Sequence, residues 1–210
     1  MIETTALPGG ARLVCEHMAY ARSVALGIWV AGGVYDEGER NAGVTHALEH
    51  MVFKGTPRRT AAAVAADTDA IGGQVNAFTA KDLTGFYARC LNTHFPRALD
   101  LLGDIFFNAL LEESDWEKER DVIIDEISLA KDNPEELVCD ELYSAVYAGK
   151  PLGRPVPGTV AALESLTAAD IAAHRLRTRF GPRVVVSLCG AYTPADRQAA
   201  EERFSVLAPS

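Results

Sequence analysis

The pattern of hydrophobic and polar positions predicts several short strands. In the clearest segment, large aliphatic side chains occupy every second position: Val24, Leu26, Ile28 and Val30. This period of two is typical of a strand that buries one face, and mainly small residues lie between these positions. Residues 7–15 predict a turn that leads into another strand. The runs at 74–79 and 84–90 predict two strands joined by a polar turn, and residues 184–188 predict a buried strand.

Helical patterns cover much of the remaining sequence. Residues 61–71 predict a helix that is closed by Gly72 and Gly73. Further helices are predicted in five segments: about 93–111, 114–131 and 134–148, a segment that begins with Thr167 as its cap, and 194–204. Strands and helices alternate in blocks, which favours an α+β fold with a mainly antiparallel sheet and helices packed on it. Because no linker or internal repeat interrupts the sequence, residues 1–210 are predicted to form one domain.

Composition and charge exclude some classes of partner. With 48% hydrophobic and 23% charged residues, the chain has the composition of a globular protein. A net charge of −9 argues against nonspecific nucleic-acid binding and favours attraction of basic peptides. We find no apolar run of the roughly 20 residues that a membrane span needs, and no signal or transit peptide. The four cysteines lack C-x-x-C spacing, which indicates free thiols and a cytoplasmic location.

The strongest chemical signal is the sequence His46-Ala47-Leu48-Glu49-His50. On a helix, the two histidines lie one turn apart on one face, and the glutamate lies near that face. Imidazole nitrogens are good zinc ligands, and a carboxylate beside a zinc-activated water can act as a general base. The order H-x-x-E-H is the inverse of the commoner zinc peptidase motif H-E-x-x-H. The motif therefore predicts a zinc peptidase.

The sequence around the motif favours a helix. Asn41 or Thr45 is predicted to cap it, and Leu48 contributes to an apolar face. Residues 54–57, Lys-Gly-Thr-Pro, are predicted to end it. A chance match to the motif has a probability on the order of one in a hundred in a chain of this composition. The helical context makes a metal site the preferred interpretation.

A catalytic zinc site needs a third protein ligand. Residues 116–127 supply two candidates, Glu119 and Glu126, which lie two helical turns apart on one face. Carboxylates on a helix more commonly form a solvated surface, so the residues alone leave both interpretations open.

Five stretches of the chain resemble the pitrilysin family of zinc peptidases, which includes insulin-degrading enzyme and the mitochondrial processing peptidase. They are GVTHALEHMVFKGT (43–56), GGQVNAFTAKDLTGFYA (72–88), EKERDVIIDEI (117–127), GKPLGRPVPGT (149–159) and VVVSLCG (184–190). The resemblance spans nearly the whole chain. It implies zinc held by His46, His50 and Glu126. It also implies that Glu49 is the general base and that Glu119 is an outer partner of the ligands.

The resemblance also implies a partner. Members of this family join two such halves, in one chain or as two subunits, in a clamshell that encloses a chamber. This chain resembles the N-terminal, zinc-bearing half, and it has no match to the arginine and tyrosine that the second half usually contributes. Ala47 stands where the family more often has a bulky aromatic residue. We therefore expect a peptide substrate, and either a homologous half or self-association.

A second predicted site is the extended segment that contains Asn76, Ala77 and Phe78. Such a segment near the zinc helix can accept a peptide as an added strand, with Phe78 lining a pocket for one side chain. The alternative is an internal strand with Phe78 in the core. The family resemblance favours a substrate-binding edge.

Two functions of different classes compete. The first is a zinc metalloendopeptidase domain that hydrolyses peptides or unfolded segments and needs a second half for full activity. The second is a noncatalytic or assembly subunit that retains the zinc site, since some relatives serve as noncatalytic partners. The intact motif favours the first function, and the dependence on a second half keeps the second one open.

Overall fold

A six-stranded sheet organises the computed structural model, which describes residues 1–209. The strands in chain order are β1 (Ile2–Ala6), β2 (Arg12–His17), β3 (Ser23–Val30), β4 (Gly55–Thr56), β5 (Arg59–Thr60), β6 (Gln74–Thr79), β7 (Thr84–Leu91) and β8 (Val184–Gly190). The sheet has the order β1-β2-β8-β3-β7-β6, and β4 and β5 form a separate small hairpin. Only β2 and β8 pair in parallel among these strands.

Helices occupy most of the sequence between β3 and β8 and extend beyond β8. They are α1 (Val44–Met51), α2 (Ala61–Ile71), α3 (Phe95–Asn108), α4 (Glu113–Asp132), α5 (Pro134–Val146), α6 (Val160–Ser165), α7 (Ala168–Thr178) and α8 (Pro194–Phe204). The prediction of an α+β fold with a mainly antiparallel sheet is confirmed. Within residues 1–209, no helix combines the length and apolar character needed to cross a bilayer.

One face of the sheet is buried. It carries the aliphatic side chains of β3, each at most 2% exposed: Val24, Leu26, Ile28 and Val30. Leu26 lies opposite Ala88 of β7 and Leu188 of β8, which are equally buried. Helical side chains complete this core, where each buried large aliphatic residue stabilises the fold by about 1.5–3 kcal/mol. The period of two in the sequence results from this one-sided burial.

The opposite face of the sheet remains partly open. Trp29 packs edge-on against Phe78, with their ring centroids 6.0 Å apart. The Trp29 indole N–H donates a hydrogen bond to Ser187 Oγ at 2.9 Å. Phe78 keeps 38% of its surface exposed, and Tyr87 beside it is half-buried. This face, which we call the open face, presents aromatic surface next to the β6 edge.

The N-terminal part of α4 is fixed by a buried tryptophan. Trp116 is fully buried, and its indole N–H donates to the carbonyl of Leu166 at 2.7 Å. About two and three turns farther along the same helix, Ile123 and Ile127 pack into the core. These apolar anchors fix the rotation of α4, so the carboxylates on its other side point towards α1.

Candidate metal centre

The N-terminus of α1, the helix that carries the motif, is capped by a residue from the preceding loop. Its N-cap position is Gly43, in the left-handed region with φ of 93°, and it has no side chain to cap the helix. The prediction that Asn41 or Thr45 caps this helix is therefore wrong. Glu37 takes this role, because its carboxylate accepts the backbone N–H groups of Gly43 at 2.8 Å and Thr45 at 2.9 Å.

Burial fixes the orientation of α1. Its core-facing side chains are buried: Val44, Ala47, Leu48 and Met51. His46, Glu49 and His50 are only half-buried on the other side. The amphipathic helix thus directs both imidazoles and the intervening carboxylate out of the core.

Helix α4 brings a third donor to the two histidines. Glu126 Oε2 lies 3.8 Å from His46 Nε2 and 3.6 Å from His50 Nε2. One ligand atom from each of the three residues lies within 4.8 Å of the other two. The structure therefore brings together the three residues that the family resemblance identified.

This donor set fits a zinc ion. A tetrahedral zinc with bonds of about 2.0–2.1 Å separates its ligand atoms by about 3.3 Å. The observed separations of 3.6 and 3.8 Å from Glu126 are only slightly wider. Two imidazoles and one carboxylate leave a fourth position open, as catalytic zinc sites require.

The protonation state of His46 suits a metal ligand. Burial lowers the pKa of His46 to about 4, and the neighbouring His50 acts in the same direction. At neutral pH His46 is therefore uncharged, with a free lone pair. The His46 Nδ1 atom is buried and has no hydrogen-bond partner among residues 1–209. Packing therefore orients the ring, which lies edge-on to the His50 ring with the two ring centroids 4.7 Å apart.

Glu119 lies behind His50. Its Oε2 is 3.2 Å from His50 Nδ1, and its other oxygen pairs with the Lys54 ammonium. A carboxylate that accepts from one ring nitrogen leaves the other nitrogen free to bind a metal and orients the ring. Glu119 thus occupies the position expected of a partner to a ligand, and sequence analysis did not foresee the role of Lys54.

Glu49 is oriented by the end of β6. The hydroxyl of Thr79 donates a hydrogen bond to Glu49 Oε2 at 2.7 Å. Burial raises the pKa of Glu49, and the Thr79 hydrogen bond opposes that rise. A carboxylate with a raised pKa accepts a proton more readily than an exposed one, which suits a general base. Thr79 lies in a stretch that resembles the family, but its contact with Glu49 has no signal in the sequence.

The segment with Asn76, Ala77 and Phe78 lies on β6, at one edge of the sheet. Phe78 is 38% exposed on the open face, so the alternative of an internal strand with Phe78 in the core is wrong. The Ala77 side chain points into the core, and its backbone N–H donates to Asn76 Oδ1 at 2.9 Å. The three residues thus form an edge near α1, and a role in substrate binding stays a prediction.

An acidic cleft opens beside the candidate ligands. It has a volume of about 720 Å³ and lies between α4, α5 and the loop with Val156 and Pro157. Four carboxylates line it: Glu126, Glu135, Glu136 and Asp140. Sequence analysis missed this cleft, although the spacing of Glu136 and Asp140 by one helical turn could have indicated an acidic face.

The fold and the site together define a class of protein. Residues 12–160 match the family described as Insulinase (Peptidase family M16), so the chain belongs to that family. It is 41% identical over 186 residues to an uncharacterized zinc protease of Mycobacterium tuberculosis, covering 89% of this chain and 42% of that protein. It is also 36% identical over 188 residues to a probable mitochondrial-processing peptidase subunit beta of Arabidopsis thaliana, covering 89% of this chain and 35% of that protein. The family resemblance is thus confirmed.

The fold is shared with solved structures of the same family. A crystal structure of a peptidase M16 inactive domain from Pseudomonas fluorescens matches with a TM-score of 0.91 at 19% identity. The matched region covers 100% of this chain and 52% of the Pseudomonas fluorescens chain. In sequence, the chain spans about two fifths of the length of the Mycobacterium tuberculosis relative.

Proposed function

We propose that this chain is the zinc-bearing domain of a metalloendopeptidase that hydrolyses peptides or unfolded segments. The observation that supports this most is the convergence of His46, His50 and Glu126 beside Glu49. Structural glutamates are usually exposed, whereas Glu49 is half-buried with a defined hydroxyl partner. The zinc protease relatives support the same reaction class.

Each residue has a separate task in this proposal. Bound zinc supplies a Lewis acid and an activated water. Glu49 accepts the proton of the attacking water and returns it to the leaving amine, while Thr79 holds the carboxylate in place. The β6 edge holds the substrate backbone as an added strand, which requires the Asn76 side chain to release the N–H of Ala77.

The acidic cleft supports a preference for basic side chains close to the scissile bond. Glu136 and Asp140 lie on α5 in the wall of the cleft, next to His46 and Glu126. A lysine or arginine that enters the cleft would meet several carboxylates, and partly exposed charge pairs contribute about 0.2–1 kcal/mol each.

Neutralising the cleft should weaken that preference. For Glu136→Gln/Asp140→Asn, we expect kcat/KM for a peptide with arginine near the cleaved bond to fall about 3- to 10-fold. A matched peptide with a neutral residue at that position should be cleaved as before. Glu141→Gln is the control, because Glu141 lies on the same helix but is not among the residues that line the acidic cleft. An equal fall in kcat/KM for both peptides would show that the cleft does not select basic side chains.

Full activity is proposed to need a second half. A zinc site on an open surface orients a flexible peptide poorly, and orientation and oxyanion stabilisation carry much of the rate. The open face, with Trp29, Phe78 and Tyr87, is an aromatic surface of the kind that partners cover. Relatives more than twice as long support a homologous half as the partner, and self-association is the other form of the proposal.

An assay with and without that half tests the proposed function. Residues 1–210 should bind zinc but cleave unfolded peptides slowly. Adding the unmatched remainder of the Mycobacterium tuberculosis relative, as a fusion or a separate chain, should raise kcat/KM by about 100-fold or more. Sedimentation would detect self-association. Ordinary efficiency of the isolated chain would show that the second half is dispensable. A zinc-loaded assembly without turnover would favour the noncatalytic subunit.

A further inference from the structure

Glu37 is a buried carboxylate outside the candidate metal centre. It is 5% exposed and lies in the loop between β3 and α1. Both of its oxygens accept backbone N–H groups, from Gly43 and Thr45. Burial raises the pKa of Glu37, and the two backbone N–H groups oppose that rise because they favour the ionised form. Its charge lies at the N-terminal end of α1, where the helix dipole favours an anion.

The capped turn leads directly into the first candidate ligand. Thr45, whose N–H binds Glu37, immediately precedes His46. The Thr45 hydroxyl also lies 3.1 Å from Nε2 of His174, a buried residue of α7. Backbone and side chain of Thr45 are therefore both held, by two different elements of the fold.

A close backbone contact fixes the other side of the same turn. A Cβ atom on Gly43 would lie 2.4 Å from the carbonyl oxygen of Pro157. A Cβ atom on Gly158 would lie 2.3 Å from the carbonyl oxygen of Ala42. Arg154, from the same loop, donates to the Glu37 carbonyl at 2.7 Å. The turn before His46 cannot shift towards this loop without a clash.

We propose that Glu37 is a positioning residue for the metal centre, which sets the geometry of His46 and Glu49 through the N-terminal turn of α1. This inference rests on the proposed zinc site. The Glu37 carboxylate accepts the backbone N–H groups of Gly43 and Thr45, at the start of α1, so it acts on the ligands through the position of that turn. His46 depends on this support because its own Nδ1 has no hydrogen-bond partner among the described residues.

Metal binding measures this role without any assay of turnover. In Glu37→Gln, an amide NH₂ must face one of the two backbone N–H donors, so one hydrogen bond is lost. We expect the Kd for zinc, measured against a chromophoric chelator, to rise about 10-fold or more. The visible absorption spectrum of the Co²⁺-loaded chain should also change, because it reports ligand geometry.

The control is Asp196→Asn. Asp196 accepts the backbone N–H of Thr193 at 2.8 Å and caps α8, away from the metal centre. The Asp196→Asn substitution should lower the melting temperature but leave the zinc affinity and the Co²⁺ spectrum unchanged. If Glu37→Gln does not fold, Glu37→Asp keeps two acceptor oxygens on a shorter side chain, and a weaker change of the same kind is expected.

Three outcomes separate the possibilities. Weaker zinc binding with a changed Co²⁺ spectrum in the Glu37 variant alone supports the positioning role. Wild-type affinity and spectrum in a folded Glu37 variant overturn it, even if the melting temperature falls. His50→Ala is measured in the same series: if it also retains zinc, the assignment of the metal centre has failed and not merely the role of Glu37.

Discussion

Replacing His50 by Ala is expected to reduce bound zinc from about one ion per chain to almost none. His50 supplies one of the three donor atoms, and Glu126 Oε2 lies 3.6 Å from its Nε2. Without this imidazole only His46 and Glu126 remain, and two protein ligands do not hold zinc tightly. Metal analysis after gel filtration measures the change directly.

The control for this variant is His17→Ala. His17 is exposed, and its ring packs against Tyr192 at 5.3 Å, on a different part of the sheet. It should retain a full equivalent of zinc. Glu126→Gln should bind zinc weakly, because a neutral amide oxygen replaces the carboxylate. Equal zinc in the wild type and in His50→Ala would rule out the proposed ligands.

Replacing Glu49 by Gln is expected to separate metal binding from chemistry. Glutamine keeps the shape of the side chain and can still accept the Thr79 hydroxyl, but it cannot take a proton. Zinc content should stay at about one per chain, while turnover by the active assembly falls by about two to four orders of magnitude. The measurement is kcat on one peptide, with zinc determined in the same preparation.

The controls for Glu49→Gln are the assembly with intact Glu49 and the His50→Ala variant. His50→Ala should lose metal and activity together, whereas Glu49→Gln should lose activity alone. A purified Glu49→Gln protein with near-normal turnover would mean that another group is the base.

Local patterns in the sequence predicted most of the fold. The alternation along β3 predicted its buried face, because side chains on a strand alternate between faces whatever the tertiary structure is. Helix α2 and helix α8 have the predicted limits, Ala61–Ile71 and Pro194–Phe204. Gly72 marks the end of α2 and Pro194 the start of α8 through their own backbone geometry. Thr167 caps α7 as predicted, in a capping box.

Elements that depend on distant partners were missed. Strand β1 has mostly exposed residues and lies at the edge of the sheet next to β2, so its sequence carries little hydrophobic pattern. Helix α6 has only six residues, too few for a helical period to be visible. The cap of α1 was assigned to nearby polar residues because local capping is the usual case. Glu37 caps it instead through a loop whose path the sequence does not reveal.

In the candidate site, too, local spacing identified some residues, whereas contacts between distant segments could not be predicted. His46, Glu49 and His50 could be identified because one helical turn fixes their spacing. Glu119 and Glu126 were candidates from helical spacing, but only the family resemblance connected them to the histidines. Their contacts with α1 join residues 69 or more positions apart, as for His50 and Glu119. The Thr79–Glu49 contact and the acidic cleft likewise arise from tertiary packing.

The central claim is that His46, His50 and Glu126 hold a single zinc ion. X-ray diffraction from the zinc-loaded chain, recorded on both sides of the zinc absorption edge, tests it most directly. We predict one anomalous peak about 2.0–2.2 Å from both Nε2 atoms and from a Glu126 carboxylate oxygen. A peak at other residues, or a peak near the histidines without Glu126 within bonding distance, would contradict the account.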